Sequence, residues 1–225
     1  MGWIFRFYES SLGLKYVMAI TGIGLYGFLI GHLGGNLLIF FGPEALNEYA
    51  AGLQRLPLNL LWIIRFGLLS IFVLHVVTAI RLSIKNKAAR PERYHHEKTL
   101  QATLASKTMI HTGVLVLVFV CYHLAHFTFR AVQDTGQAYD IMGRPDVYRM
   151  VVEGFSQPII VGIYIVSMII LGFHLSHGLS SMFQSLGINH PKYNGLIKWI
   201  GPVFGGGIAL CNIFIPLSVF FGLVS

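Results

Sequence analysis

Five stretches of this 225-residue chain are long and apolar enough to cross a lipid bilayer, over about 17–41, 60–82, 109–130, 158–181 and 196–223. A helical span of about 20 residues covers the roughly 30 Å of hydrocarbon. Inside that medium each backbone N–H and C=O needs a partner, which leaves only helices and closed barrels. Long, unbroken apolar runs select the helix. Composition agrees: 55% of the residues are hydrophobic and 11% are charged, against about 25% charged in a soluble domain. A large soluble bundle would need polar helix faces, and these runs have almost none. The expected fold class is all-α transmembrane. It is one domain over 1–225, a five-helix bundle with a short interfacial helix and an external loop helix.

The segments between the runs set the expected topology. Residues 1–16 carry Trp3, Phe5, Phe7 and Tyr8 with Arg6 and Lys15, a mixture suited to a membrane interface. Pro43 and Pro57 bracket a stretch with Leu46, Tyr49 and Leu53 on one face, which predicts a helix lying flat. Residues 81–107 are the most basic connection, and residues 131–157 are near neutral, with helix expected around Val147–Phe155. A cytoplasmic N-terminus, basic loop and 182–198 turn place 11 of the 16 Lys and Arg residues on the cytoplasmic side. Pro191 in that turn blocks continuation of the fourth helix. The C-terminus is then external, and a bacterial cytoplasmic (inner) membrane is the expected location.

The net charge of +7 belongs to this loop pattern. No basic, aromatic-studded domain suggests nucleic acid. Cys121 and Cys211 are too isolated for an iron–sulfur cluster or disulfide framework. The N-terminal region has neither a cleavable signal pattern nor the Ser or Thr of a myristoylation motif.

Histidine sets these spans apart. His32 lies in the first, His75 in the second, His123 and His126 in the third, and His174 and His177 in the fourth, within GFHLSHG. An ionisable side chain inside a membrane span is costly and reads first as functional. Each lies past the middle of its helix, and successive spans run in opposite directions. At 1.5 Å per residue, His32 falls about 4–5 Å, His123 about 5 Å and His126 about 10 Å beyond centre on the outer side. On the inner side His75 falls about 6 Å, His174 about 7 Å and His177 about 11 Å beyond centre. Depth therefore pairs His32 with His123 and His75 with His174. Two histidines facing each other at one depth can supply both axial ligands of a haem iron, and bundle interiors hold such cofactors. Two pairs imply two haems b stacked across the membrane. With both axial positions filled, the chemistry is electron transfer rather than oxygen activation.

His126 and His177 then line the sites, touch a propionate or quinone, or are structural. Propionate partners are expected from Arg130 or Arg65 outside and from Arg81 or Lys107 inside, although each could equally be an interfacial anchor. His95, His96 and His190 read as loop residues and His111 as interfacial. Gly172 and Gly178 are expected to make room for a flat macrocycle. No internal repeat is visible beyond the recurring late histidine. Rival readings are weaker on the residues. A zinc site needs three or four ligands converging at one depth. A proton-coupled transporter tends to carry broken helices and intramembrane acids, and no span interior here contains Asp or Glu. The alternatives are a non-redox membrane protein with structural histidines and the cytochrome b subunit of another oxidoreductase.

Three segments carry a family likeness: SLGLKYVMAITGIGLYGFLIGHLGGNLLIFFGPEALNEYAAGL, FVCYHLAHFTF and GFHLSHGLSSMFQSLGINHPKY. The chain resembles the five-helix, di-haem cytochrome b (b558-type) anchor subunits of succinate dehydrogenases and fumarate reductases over nearly its whole length. The resemblance implies one haem held from helices one and three and the other from helices two and four. The family's ligand positions fall on His32, His75, His123 and His174. It also implies a flavoprotein partner with FAD, an iron–sulfur partner, membrane quinone (menaquinone for the di-haem type) as substrate, and assembly into a larger complex. This chain alone is no catalyst. Quinone-site candidates are Ser11, Lys15, His111 and Arg81 near the inner side, and Asn36, Tyr49, Gln54 and Arg65 near the outer side.

Overall fold

The computed structural model describes residues 2–89, 107–133, 138–188 and 190–225. Most of the basic loop, with Arg90, Arg93, His95, His96 and Lys98, lies outside them. Among the described residues the protein is all-helical, with no strand. The helices are α1 (Trp3–Glu9), α2 (Ser11–Asn36), α3 (Pro43–Gln54), α4 (Leu60–Ala88), α5 (Met109–His123), α6 (Val147–Gly154), α7 (Pro158–Ser185) and α8 (Pro191–Phe220). Short 3₁₀ segments extend α2 through Phe41 and precede α4, and a π turn over Leu124–Thr128 extends α5. Five elements, Ser11–Phe41, Pro57–Ala88, Met109–Thr128, Pro158–Ser185 and Pro191–Phe220, are long and apolar enough to span a membrane.

Helix ends differ from the expected ones where polar chemistry extends a helix past its apolar run. Ser10 accepts from the Gly13 N–H, so α2 begins at Ser11, six residues before the expected 17. Lys85 and Lys87 lie in the last turn of α4, where positive charge complements the helix dipole, and α4 runs to Ala88 rather than 82. His190 Nδ1 accepts from the Lys192 N–H and Pro191 occupies the first turn of α8. Proline suits that position because its missing N–H has no intrahelical partner there. Pro202 and Pro216 lie within α8 without ending it.

Two packing regimes coexist. α8 lies against α7 through small residues on both helices. A Cβ on Gly201 would come within 2.0 Å of the Ser176 carbonyl oxygen, and one on Gly205 within 2.7 Å of the Gly172 carbonyl. Ser180 also donates across the interface to the Ile197 carbonyl at 3.1 Å. Small residues let two membrane helices approach and gain dispersion contacts that lipid cannot give. The glycines at 172, 201 and 205 therefore serve helix packing. Gly172 faces α8, which corrects the expectation that it makes room for a macrocycle.

The histidine-bearing helices are looser. α4 packs chiefly on α2, and α5 on α7. Thr78 is the only described buried residue of α4, and α5 has none. At the end of the bundle where α2 stops, α3 is tied down. Asn47 donates to Asp146 and accepts from the Tyr148 N–H, and buried Arg144 pairs with Glu44, Glu48 and Asp140 at 2.7–2.9 Å.

Candidate functional site

The outer set lies between α2, α5 and α7. The His32 and His123 rings approach with centroids 5.8 Å apart, nearly perpendicular at 84°. A metal–imidazole bond of about 2 Å puts the centroids of two rings on opposite sides of one metal roughly 6 Å apart. The spacing therefore fits a shared axial pair. His126 faces another way. It is 1% exposed, stacks on Phe127 at 4.1 Å, and its Nε2 lies 3.4 Å from where a Cβ on Gly154 would stand. His123 and His126 are three positions apart, yet His123 meets the His32 ring of α2 while His126 points into the aromatic cluster under α6.

The Tyr164 hydroxyl joins the two, lying 3.2 Å from His123 Nδ1 and 3.0 Å from His126 Nδ1. One hydroxyl proton can serve only one of these nitrogens, so Tyr164 accepts from one and donates to the other. If His123 keeps Nε2 for a metal, its Nδ1–H donates to Tyr164, Tyr164 donates to His126, and His126 carries its proton on Nε2. That buried Nε2 and the buried Gln133 Oε1 both lack a closely aligned partner, and the two side chains are near enough to interact.

The inner set joins α4 and α7 to their neighbours. His75 Nδ1 lies 3.0 Å from the Thr21 hydroxyl of α2, and His174 Nδ1 lies 3.3 Å from the Thr112 hydroxyl of α5. A Cβ on Gly22 would stand 3.9 Å from the His75 ring, and one on Gly113 would stand 3.4 Å from the His174 ring. His174 lies within electrostatic range of both His75 and His177. The residues fit the cofactor on two counts: the His32 and His123 rings face each other at 5.8 Å, and Nδ1 is engaged on three of the four histidines, which leaves Nε2 for iron.

Other candidates are more dispersed. The Arg81 guanidinium stacks on Tyr8 at 4.5 Å, and Arg65 on Trp62 at 4.9 Å. Gln54 and Arg65 share a cavity of about 210 Å³ with Leu56, Asn59, Leu61 and Trp62. Asn36 ends α2 and Tyr49 lies against Gly35, both away from the residues lining that cavity. Ser11, Lys15, Lys107 and His111 are exposed, and Arg130 follows the π turn with φ of 53°. Gly178 lies in ordinary contact range of Met109.

The fold and these contacts define a polytopic helical membrane protein with histidines on four of its five spans, two of which, His32 and His123, meet across the bundle. The succinate dehydrogenase cytochrome b558 subunit of Bacillus subtilis (strain 168) is similar: 27% identical over 177 residues, which cover 78% of each chain. That relative bears the name of the family whose likeness the sequence carries. No family model matches the chain, and no solved structure does.

Proposed function

We propose that this chain is the di-haem b membrane anchor of a succinate:quinone oxidoreductase, carrying electrons between an iron–sulfur subunit and membrane quinone. The single observation that carries this reading is the pair His32 and His123. They are brought to axial-ligand spacing from helices far apart in sequence, in a chain similar to a cytochrome b558 subunit. His32 and His123 hold the outer haem, His75 and His174 the inner one. Bound haem b supplies a one-electron iron centre. The chain's own residues do the rest. The imidazoles of His32, His123, His75 and His174 would hold the iron, Thr21, Thr112 and Tyr164 bond three of their far nitrogens, and the apolar helices exclude water. Arg81, Arg65, Arg130 and Lys107 are the cations offered to propionates at the two membrane faces.

In this reading the iron–sulfur subunit docks at the cytoplasmic face, a flavoprotein subunit holds FAD, and menaquinone is the membrane substrate. Localisation is the bacterial cytoplasmic membrane, with the N-terminus inside and the C-terminus outside. The test is a reduced-minus-oxidised optical spectrum with haem quantitation on the purified complex. Two b-type haems per chain, co-purifying with flavin and iron–sulfur subunits, is the expected result. Absence of haem b overturns the reading. Haem with different partners transfers the chain to another oxidoreductase.

A further inference from the structure

We propose that Thr21 and Thr112 are paired positioning residues that fix His75 and His174 in the Nδ1–H tautomer. The inference rests on the two-haem reading and adds the groups that orient the inner ligands. Each threonine hydroxyl has one proton. That of Thr21 goes to the Val17 carbonyl at 2.7 Å, and that of Thr112 to the Met109 carbonyl at 3.1 Å. With its proton committed to backbone, each oxygen can only accept from the imidazole beside it. His75 Nδ1 at 3.0 Å and His174 Nδ1 at 3.3 Å must then carry the hydrogen. That leaves Nε2 of each ring as the lone-pair nitrogen before any metal arrives. A bond to the far nitrogen of a metal-bound histidine fixes its tautomer and raises its basicity.

The two threonines are equivalent by sequence as well as by contact. Each stands in a Thr-Gly pair eleven residues before an outer histidine: Thr21–Gly22 before His32 (32 − 21 = 11) and Thr112–Gly113 before His123 (123 − 112 = 11). Eleven residues are three helical turns, so threonine and histidine share one face about 16 Å apart in depth. A single helix thus presents a ligand at the outer level and a tautomer-fixing hydroxyl at the inner level. The adjacent glycine lies beside the same ring, Gly22 beside His75 and Gly113 beside His174. α2 with α4 and α5 with α7 thus repeat one Thr–His contact.

The experiment uses the purified complex with the isosteric variants Thr21→Val and Thr112→Val, and Thr21→Ser and Thr112→Ser as rescues. Readouts are haem content and the midpoint potential of each haem by optical titration. Losing the acceptor makes the imidazole less basic and favours ferrous iron. Both valine variants are expected to raise the potential of the same, inner haem, leave the outer one unmoved, and weaken retention of the inner haem roughly 10–100-fold. Serine is expected to restore both properties. If Thr21→Val does not assemble, Thr112→Val asks the same question from the other helix. Unchanged potentials, a shift in the outer haem, or serine behaving like valine overturns the proposal while the two-haem reading stands. No haem b in the wild-type complex overturns that reading itself.

Discussion

Two residues of the same type, three apart on one helix, receive different tasks here. His123 meets His32 with the two ring planes nearly perpendicular, while His126 sinks into the cluster of Phe127, Phe155 and Tyr164. The corresponding substitutions should therefore separate. His32→Ala and His123→Ala are expected to lose one and the same haem, and His75→Ala and His174→Ala the other, in quantitative haem spectra of the complex. His126→Ala and His177→Ala should retain both; loss of a haem in either would reassign that ligand. Tyr164→Phe takes away the acceptor for His123 Nδ1–H and the donor to His126. It should raise the midpoint potential of the outer haem alone and cost about 1 kcal/mol of stability for the lost hydrogen bond. The histidines of the first four spans, and the meeting of His32 with His123, were legible in sequence because charge-capable side chains stand out against an apolar run. Thr21, Thr112 and Tyr164 were not. A hydroxyl in a span can bond its own backbone at no cost, so it carries no signal until the partner helix is known. The recurring Thr-Gly pair eleven residues before a histidine was the available clue.

At the scale of elements, α7 is held from behind. Gly172 faces α8, and His174, two residues on, lies about 200° further round the helix. The close seam of Gly201 and Gly205 against Gly172 and Ser176 thus sets the face that α7 turns to α5. Gly201→Leu is expected to overpack this seam at a cost of about 1–3 kcal/mol. It should displace the inner haem more than the outer, seen as selective loss of its spectral contribution. This part of the fold was half legible: the glycines announced close contact, but sequence does not say whether a helix or a macrocycle makes it. The external latch behaves differently. Hydrogen bonding to Arg144 holds the Glu44 carboxyl below its ordinary 4.5. Burial of Asp140 opposes its ionisation, but bonds from Arg144 and Met142 outweigh it and hold that carboxyl low as well. Groups lowered by folding add stability above their unfolded values and lose it as pH falls through their folded ones. Limited proteolysis of the 138–146 segment should therefore be slow at neutral pH and accelerate below about pH 4. Arg144→Met should make it fast at both.

For the whole molecule, the contrast between the dry α7–α8 seam and the sparsely buried α4 and α5 has a thermodynamic consequence. α8 contributes buried residues from Ile197 to Val219, whereas α4 buries only Thr78 and α5 none among the described residues. α2 and α7 meet in an apolar cluster around Leu33, Ile160, Val161 and Tyr164, whereas α4 and α5 bring histidines and few buried side chains. Lipid supplies no hydrophobic drive to press α4 and α5 inward, since its tails are as apolar as the helices. A ligand that binds only the assembled state stabilises it by mass action. On the proposed function, haems would be structural members of the bundle, and their removal should act unevenly. Amide hydrogen exchange on the complex prepared with and without haem supply is expected to show α4 and α5 losing protection when haem is absent. The α7–α8 seam should hold, because its contacts are protein to protein. Uniform loss of protection across all five spans, or none, would mean that α4 and α5 are held by contacts other than the cofactors.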